Sequence, residues 1–217
     1  MSDDLLPPGS LPVLQRSLGI SSGAGELVET WIDGARFLAH LVVDSEQAEL
    51  RSTRSIGAVT STAALHALWN LPPTPVKVGT LSELDVETLS GLPLGLVELA
   101  QSGLMARCYR PIGEVRMLAT ASSSLWPGVR RAMAIPPIFE RACVWLSSPA
   151  EPFPATESIA AARRSGTGIV RFAGEQAQVV VPLRRRIAGV PAVYRWWVAE
   201  LAYESKLNQA QIAQAAS

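Results

Sequence analysis

Seventeen of the 19 basic residues in this 217-residue chain are arginine, and seven of them stand in runs. The runs are Arg130-Arg131, Arg163-Arg164 and Arg184-Arg185-Arg186, with Arg171 between the last two. A guanidinium is permanently charged, and its planar donors match phosphate oxygens in pairs. These eight arginines are therefore the candidate contacts to DNA or RNA. Charge segregation points the same way. Residues 1–106 carry 5 basic and 12 acidic side chains and residues 107–217 carry 14 and 7, so halves of net −7 and +7 sum to zero. The competing account is that the acidic half lies against the basic half inside the fold. The sequence leaves both open.

No other set of residues reaches a chemical motif. His40 and His66 are the only histidines, far apart and amid apolar neighbours, which fits packing better than metal ligation. Cys108 and Cys143 lie in apolar runs, and two cysteines build no disulfide framework. Ser122-Ser123-Ser124 lacks the Gly-x-Ser-x-Gly frame of a nucleophile elbow. Gly19 to Gly25 lacks the spacing of a phosphate loop. No catalytic residue, metal ligand or cofactor is expected. At 48% hydrophobic and 18% charged residues the chain is globular in composition. No apolar run reaches the roughly 18 residues needed to span a bilayer. Met-Ser-Asp-Asp at the N-terminus is not the basic lead-in of a secretory signal. The expectation is a cytoplasmic protein with no membrane partner.

The elements that carry the arginines follow from periodicity. Glu114 to Pro182 reads strand, helix, strand, helix, strand, strand. The helices are Leu125 to Ala134 and Ala155 to Arg164. The strands include Ala142 to Leu146, Gly168 to Phe172 and Gln178 to Pro182. Upstream, Leu11, Leu14 and Leu18 recur at helical spacing. Glu26 to Ile32, Arg36 to Val43 and Ala48 to Ser55 are expected to form a three-stranded meander, with Asp33-Gly34 as its first turn and Asp44-Ser-Glu-Gln47 as its second. Thr60 to Trp69 reads as a helix stopped by Leu71-Pro-Pro-Thr-Pro75. Lys77 falls on a short strand. Ser82 caps a helix through Leu89, and a second helix is expected from Pro93 to Gly103. Leu104 to Tyr109 and Val115 to Ala121 then flank the turn at 110–113. The chain closes with a helix from Ala192 to about Leu207. It bears Trp196, Trp197 and Tyr203, which make it either a cap on the core or an interface for self-association or a protein partner.

Two resemblances follow. Helix, turn, helix and hairpin over residues 81–121 resembles a winged helix-turn-helix, which implies a transcriptional regulator. The expected second helix, however, has no Arg, Lys or Asn to read a groove. The block from Glu114 to Pro182 resembles the PD-(D/E)XK nuclease-like fold. Its matching phrases are Trp126-Pro-Gly-Val-Arg-Arg-Ala132, Arg141-Ala-Cys-Val-Trp-Leu146 and Ala161-Ala-Arg-Arg-Ser-Gly-Thr-Gly-Ile-Val170. Catalysis in that fold needs converging carboxylates and a Lys. Here the strand reads Met117-Leu-Ala-Thr-Ala-Ser122, and only Glu114-Val-Arg116 remains as a formal counterpart. The resemblance thus implies a degenerate, non-catalytic copy.

The sequence reads as an α+β protein in two parts. Residues 1–75 form a β-meander with helices, and residues 76–217 an α/β core with a helix-hairpin lead-in and a C-terminal helix. The expected function is a non-catalytic nucleic-acid- or protein-binding accessory subunit of a DNA-processing, regulatory or defence system. A winged-helix regulator, a structural assembly subunit and, third, a metal-dependent nuclease are the alternatives.

Overall fold

The computed structural model describes residues 6, 7, 9–20, 23, 25–100, 102–148, 156–174, 176–184 and 193–215. They form a mixed α+β protein with a six-stranded sheet, a three-stranded sheet and a long C-terminal helix. Two compact units divide the chain as Met1–Val42 with Val115–Val190, and Val43–Glu114 with Pro191–Ser217. The boundary after Pro75 expected from the proline run falls inside the second unit. No helix among the described residues is long and apolar enough to cross a membrane.

In the first unit, α1 (Ser10–Ser17) precedes a hairpin of β1 (Glu26–Ile32) and β2 (Ala35–Val43). Asp33 and Gly34 both take positive φ, 50° and 74°, as the tight turn of a twisted hairpin requires. Next come β6 (Gly113–Ser122), α5 (Leu125–Ala134), β7 (Glu140–Leu146), α6 (Thr156–Ser165), β8 (Thr167–Ala173) and β9 (Gln176–Val181). The sheet order is β1-β2-β6-β7-β8-β9. β6, β7 and β8 are parallel, and β9 returns antiparallel to β8. Consecutive parallel neighbours need crossover helices, and right-handed crossovers put both on one face. α5 and α6 indeed pack against each other. Buried Leu14 of α1 joins Leu27, Leu38, Met117, Ala119, Val144, Val170 and Phe172 in one apolar cluster.

The second unit contains α2 (Ser45–Thr53), α3 (Thr62–Asn70), β3 (Val76–Lys77), α4 (Glu83–Ser90), β4 (Val97–Ala100), β5 (Leu104–Arg107) and α7 (Val193–Ala215). Its sheet, ordered β3-β5-β4, is antiparallel. Ser61 and Ser82 cap α3 and α4 by accepting from the backbone N–H three residues on, as their sequences indicate.

Three expectations are corrected here. Residues 48–55 are not a third strand; they lie in and just beyond α2. Asp44 accepts from the Gln47 N–H at 3.1 Å, so the stretch read as a turn is a helix cap. Residues 93–103 are not a helix. Gly95 sits at φ 100°, and the leucine-rich run after it pairs as β4 along β5, with tertiary pairing overriding helix propensity. Finally, β5 and β6 belong to different sheets, so the winged hairpin does not form.

Candidate functional site

α5 and α6 are amphipathic, and each ends in a basic turn. Gly128 lets α5 lie directly on the sheet: a Cβ there would stand 2.7 Å from Cys143 Sγ and 2.8 Å from Ser122 Cβ. Thr120 Oγ1 donates to the Gly128 carbonyl at 3.1 Å from beneath. α6 presses Ala161 and Ala162 inward. With their small faces turned in, both helices turn their arginines out, and Arg130, Arg131, Arg163 and Arg164 are all exposed.

One buried residue fixes the spacing of the two helix ends. Arg141, at the start of β7, donates from Nη1 to the Met133 carbonyl at 3.1 Å and from Nη2 to the Ser165 carbonyl. Those carbonyls belong to the last turns of α5 and α6. A helix C-terminus leaves carbonyls unsatisfied and carries partial negative charge, and here one guanidinium serves both ends. The last turns therefore lie side by side, and the two arginine pairs lie with them. Arg184 joins this edge: its Cδ would be 3.3 Å from a Cβ on Gly166, the residue after α6. Arg131 also donates to the Ala121 carbonyl at 3.2 Å. Among the described residues, no carboxylate lies within ion-pair distance of Arg130, Arg163, Arg164 or Arg184.

The remaining expected contacts separate from this cluster. Arg171 is half-buried toward the other end of β8. It donates to Ser147 Oγ at 2.8 Å and to the Ser148 carbonyl at 3.2 Å, and stacks 5.1 Å from the Trp145 ring centre. Those bonds make it an internal brace. Arg185 and Arg186 lie outside the described residues. In the second unit, Trp196 and Trp197 both pack on the apolar cluster around Leu65, Leu68 and Met105. Trp196 meets Trp69 edge-on at 4.8 Å, and Trp197 Nε1 donates to the Thr60 carbonyl at 3.0 Å. Tyr203 is buried. α7 thus caps its own unit with the aromatics expected at an interface, and residues 208–215 beyond them are exposed.

Sequence reasoning missed the most buried charge among the described residues. Glu200, on α7, is 0% exposed and Arg51, on α2, is 1% exposed. Arg51 Nη1 and Nη2 each donate to Glu200 at 2.7 Å, in the two-pronged geometry that favours Arg over Lys. The Glu200 carboxylate also accepts from the Val59 N–H and the Tyr109 hydroxyl, each at 2.8 Å. Burial and the Glu200 charge push the Tyr109 pKa far above its ordinary value. Burial alone would lower the Arg51 pKa, but its bonds to Glu200 outweigh it and the pKa is raised. Glu200 stands alone as a charge between Val198-Ala199 and Leu201-Ala202. That break in an apolar run was the available signal.

The Glu-x-Arg counterpart is divided. Glu114 pairs with Arg195 at 2.5 Å. Arg116 lines a cavity of about 590 Å³ in the first unit together with His40, Glu140 and the end of α1. Among the described residues, no three of His, Cys, Asp and Glu converge as metal ligands. Burial pushes the Cys143 thiol up to about 12, so it is protonated at neutral pH and a poor nucleophile. Compared with known proteins, the chain matches no family model, no curated protein and no solved structure.

Proposed function

We propose that this protein is a non-catalytic nucleic-acid-binding accessory subunit, and that the paired ends of α5 and α6 contact the phosphate backbone. The observation that carries this reading is the exposure of Arg130, Arg163, Arg164 and Arg184 around one edge with no carboxylate partner among the described residues. A like-charged cluster that the fold leaves unneutralised suits an anion from outside. The β-α-β-α-β block serves here as a nuclease-like scaffold that keeps the surface without the catalytic acids. A DNA-processing, regulatory or defence assembly is the setting we infer.

The test is a titration of labelled DNA and RNA at two salt concentrations, wild type against Arg163→Glu/Arg164→Glu. Each phosphate contact contributes about 0.9 to the slope of log affinity against log salt on duplex DNA. Losing two contacts should therefore flatten the slope by roughly 1.8 and weaken all sequences alike. Both residues are exposed, so stability should stay within about 0.5 kcal/mol of wild type. Absence of wild-type binding at low salt would overturn the reading.

A further inference from the structure

The chain has six tryptophans, and two of them, Trp31 and Trp126, are exposed large hydrophobics, Trp126 at 47%. Trp145 is covered by Arg171, and Trp196 by Arg107, Trp69 and Tyr109. Among the described residues no cation or ring stacks on Trp126. It lies in the first turn of α5, four residues before Arg130. Residues four apart are neighbours on a helix surface, so ring and guanidinium share the outer stripe, which continues to exposed Met133. Trp31 is different: it lies on β1, opposite Arg36 of β2, and so not on the helix that carries the basic pair.

An indole with nearly half its surface in water costs solubility. Beside Arg130, which meets no carboxylate among the described residues, it has one evident chemical use. A nucleobase presents a flat face that stacks on an aromatic ring, and the phosphate beside it meets a guanidinium. In a duplex those faces are buried between neighbouring pairs, so an aromatic platform rewards only unpaired bases. We infer that α5 is a single-strand reader: Trp126 stacks an unpaired base of DNA or RNA while Arg130 and the ends of α5 and α6 hold the flanking phosphates. This rests on the nucleic-acid reading above and narrows its ligand to single strands.

The experiment uses the full chain with a fluorescein-labelled 12-mer of deoxythymidine and a labelled 12-base-pair duplex, both at low salt. Wild type should prefer the single strand. Trp126→Ala should weaken single-strand binding roughly 5- to 150-fold, the equivalent of one stacked base, and change duplex binding less than twofold. Trp126→Phe, which keeps a ring, should retain most of the affinity. Circular dichroism of both variants should match wild type, and Trp126→Phe, which keeps most of the half-buried ring surface, should keep the melting temperature as well. Equal wild-type affinity for the two ligands, or an equal loss on both in Trp126→Ala, would overturn the single-strand inference and leave phosphate binding standing. No binding to either ligand would overturn both.

Discussion

Arg51 in the second unit is 1% exposed and bonded to Glu200 through both Nη atoms, whereas Arg130, Arg163 and Arg164 in the first extend into solvent. The segments that form the two units differ in charge in the same sense. Those of the first hold 12 basic and 9 acidic residues, net +3; those of the second hold 7 and 10, net −3. The acidic unit buries Arg51 against a carboxylate; the basic unit buries Arg141 against two helix-end carbonyls and leaves Arg130, Arg163 and Arg164 exposed. One residue type thus plays two roles, and the difference lies in what faces it. A buried guanidinium without partners would be unsustainable, so Arg51 is held by Glu200, the Arg110 carbonyl at 3.1 Å and the Tyr109 ring at 5.4 Å. An exposed guanidinium needs no internal partner, which leaves it available. Arg130, Arg163, Arg164 and Arg184 meet no carboxylate among the described residues.

The sharpest way to break this comparison is to remove one side of the buried pair. Glu200→Ala strands the Arg51 charge in the interior and leaves the Val59 N–H and Tyr109 hydroxyl without their acceptor. The expected loss is about 3–5 kcal/mol. Replacing both partners, as in Arg51→Met/Glu200→Leu, should recover most of it, because desolvation offsets much of the attraction in a buried pair. Urea unfolding measures both. A single variant within about 1 kcal/mol of wild type would sink the claim that this pair organises the second unit.

The sequence showed the scaffold of the first unit better than the logic of the second, for a physical reason. β6-α5-β7-α6-β8 is written in local periodicity, and each crossover follows its strand directly. Arg51 and Glu200 lie 149 positions apart, and nothing local marks them as partners. Misreading Asp44-Ser-Glu-Gln47 as a turn put Arg51 on an edge strand and hid its burial. β4 was hidden by composition: Leu94, Leu96 and Leu99 suit a helix by propensity, but Gly95 and pairing with β5 decide. The arginine pairs stand out in the sequence because they end successive elements. Arg171 was not separable from them, since its partners Ser147 and Ser148 are on another strand's end. Arg141, which sets the spacing of α5 and α6, stands just ahead of the expected strand Ala142 to Leu146, and nothing local marks its partners Met133 and Ser165.

A smaller effect sharpens the same comparison from the first unit. Gly128→Ala places a Cβ against Cys143 and Ser122 and must lift α5 from the sheet. Overpacking costs about 1–3 kcal/mol, and alanine's helix propensity returns up to about 1 kcal/mol. The net loss should be about 1–2 kcal/mol. Because Arg130 and Arg131 ride on α5, the proposed nucleic-acid affinity should fall with it, although none of the proposed phosphate contacts has changed. Stability and affinity unchanged together would show that α5 is not clamped at Gly128.

The smallest expected effect is a slope against pH, and it tests whether the buried carboxylate is charged. Tyr109 donates to Glu200, so its phenolate would face an anion in a desolvated site. Its folded pKa is therefore raised well above the value of about 10 that it takes in an unfolded chain. For a group whose folded pKa is raised, the contribution to stability is complete below the unfolded value and is lost as pH rises past it. Above about pH 10 the unfolded tyrosine releases a proton that the folded one retains, and stability falls by up to about 1.4 kcal/mol per pH unit. Cys143, with its thiol pushed up to about 12, adds a similar limb that begins nearer pH 9, where a free thiol titrates. Arg51 keeps its charge through this range and does not contribute. Tyr109→Phe loses the bond to Glu200 and should be less stable at neutral pH by about 1–3 kcal/mol. It also lacks the tyrosine limb. Urea unfolding from pH 8 to pH 11 should therefore show the gap between wild type and Tyr109→Phe narrowing above pH 10, with the cysteine limb common to both. Parallel curves across that range would mean that Tyr109 ionises no differently in the fold, and that the carboxylate beside it is not the buried anion its geometry describes.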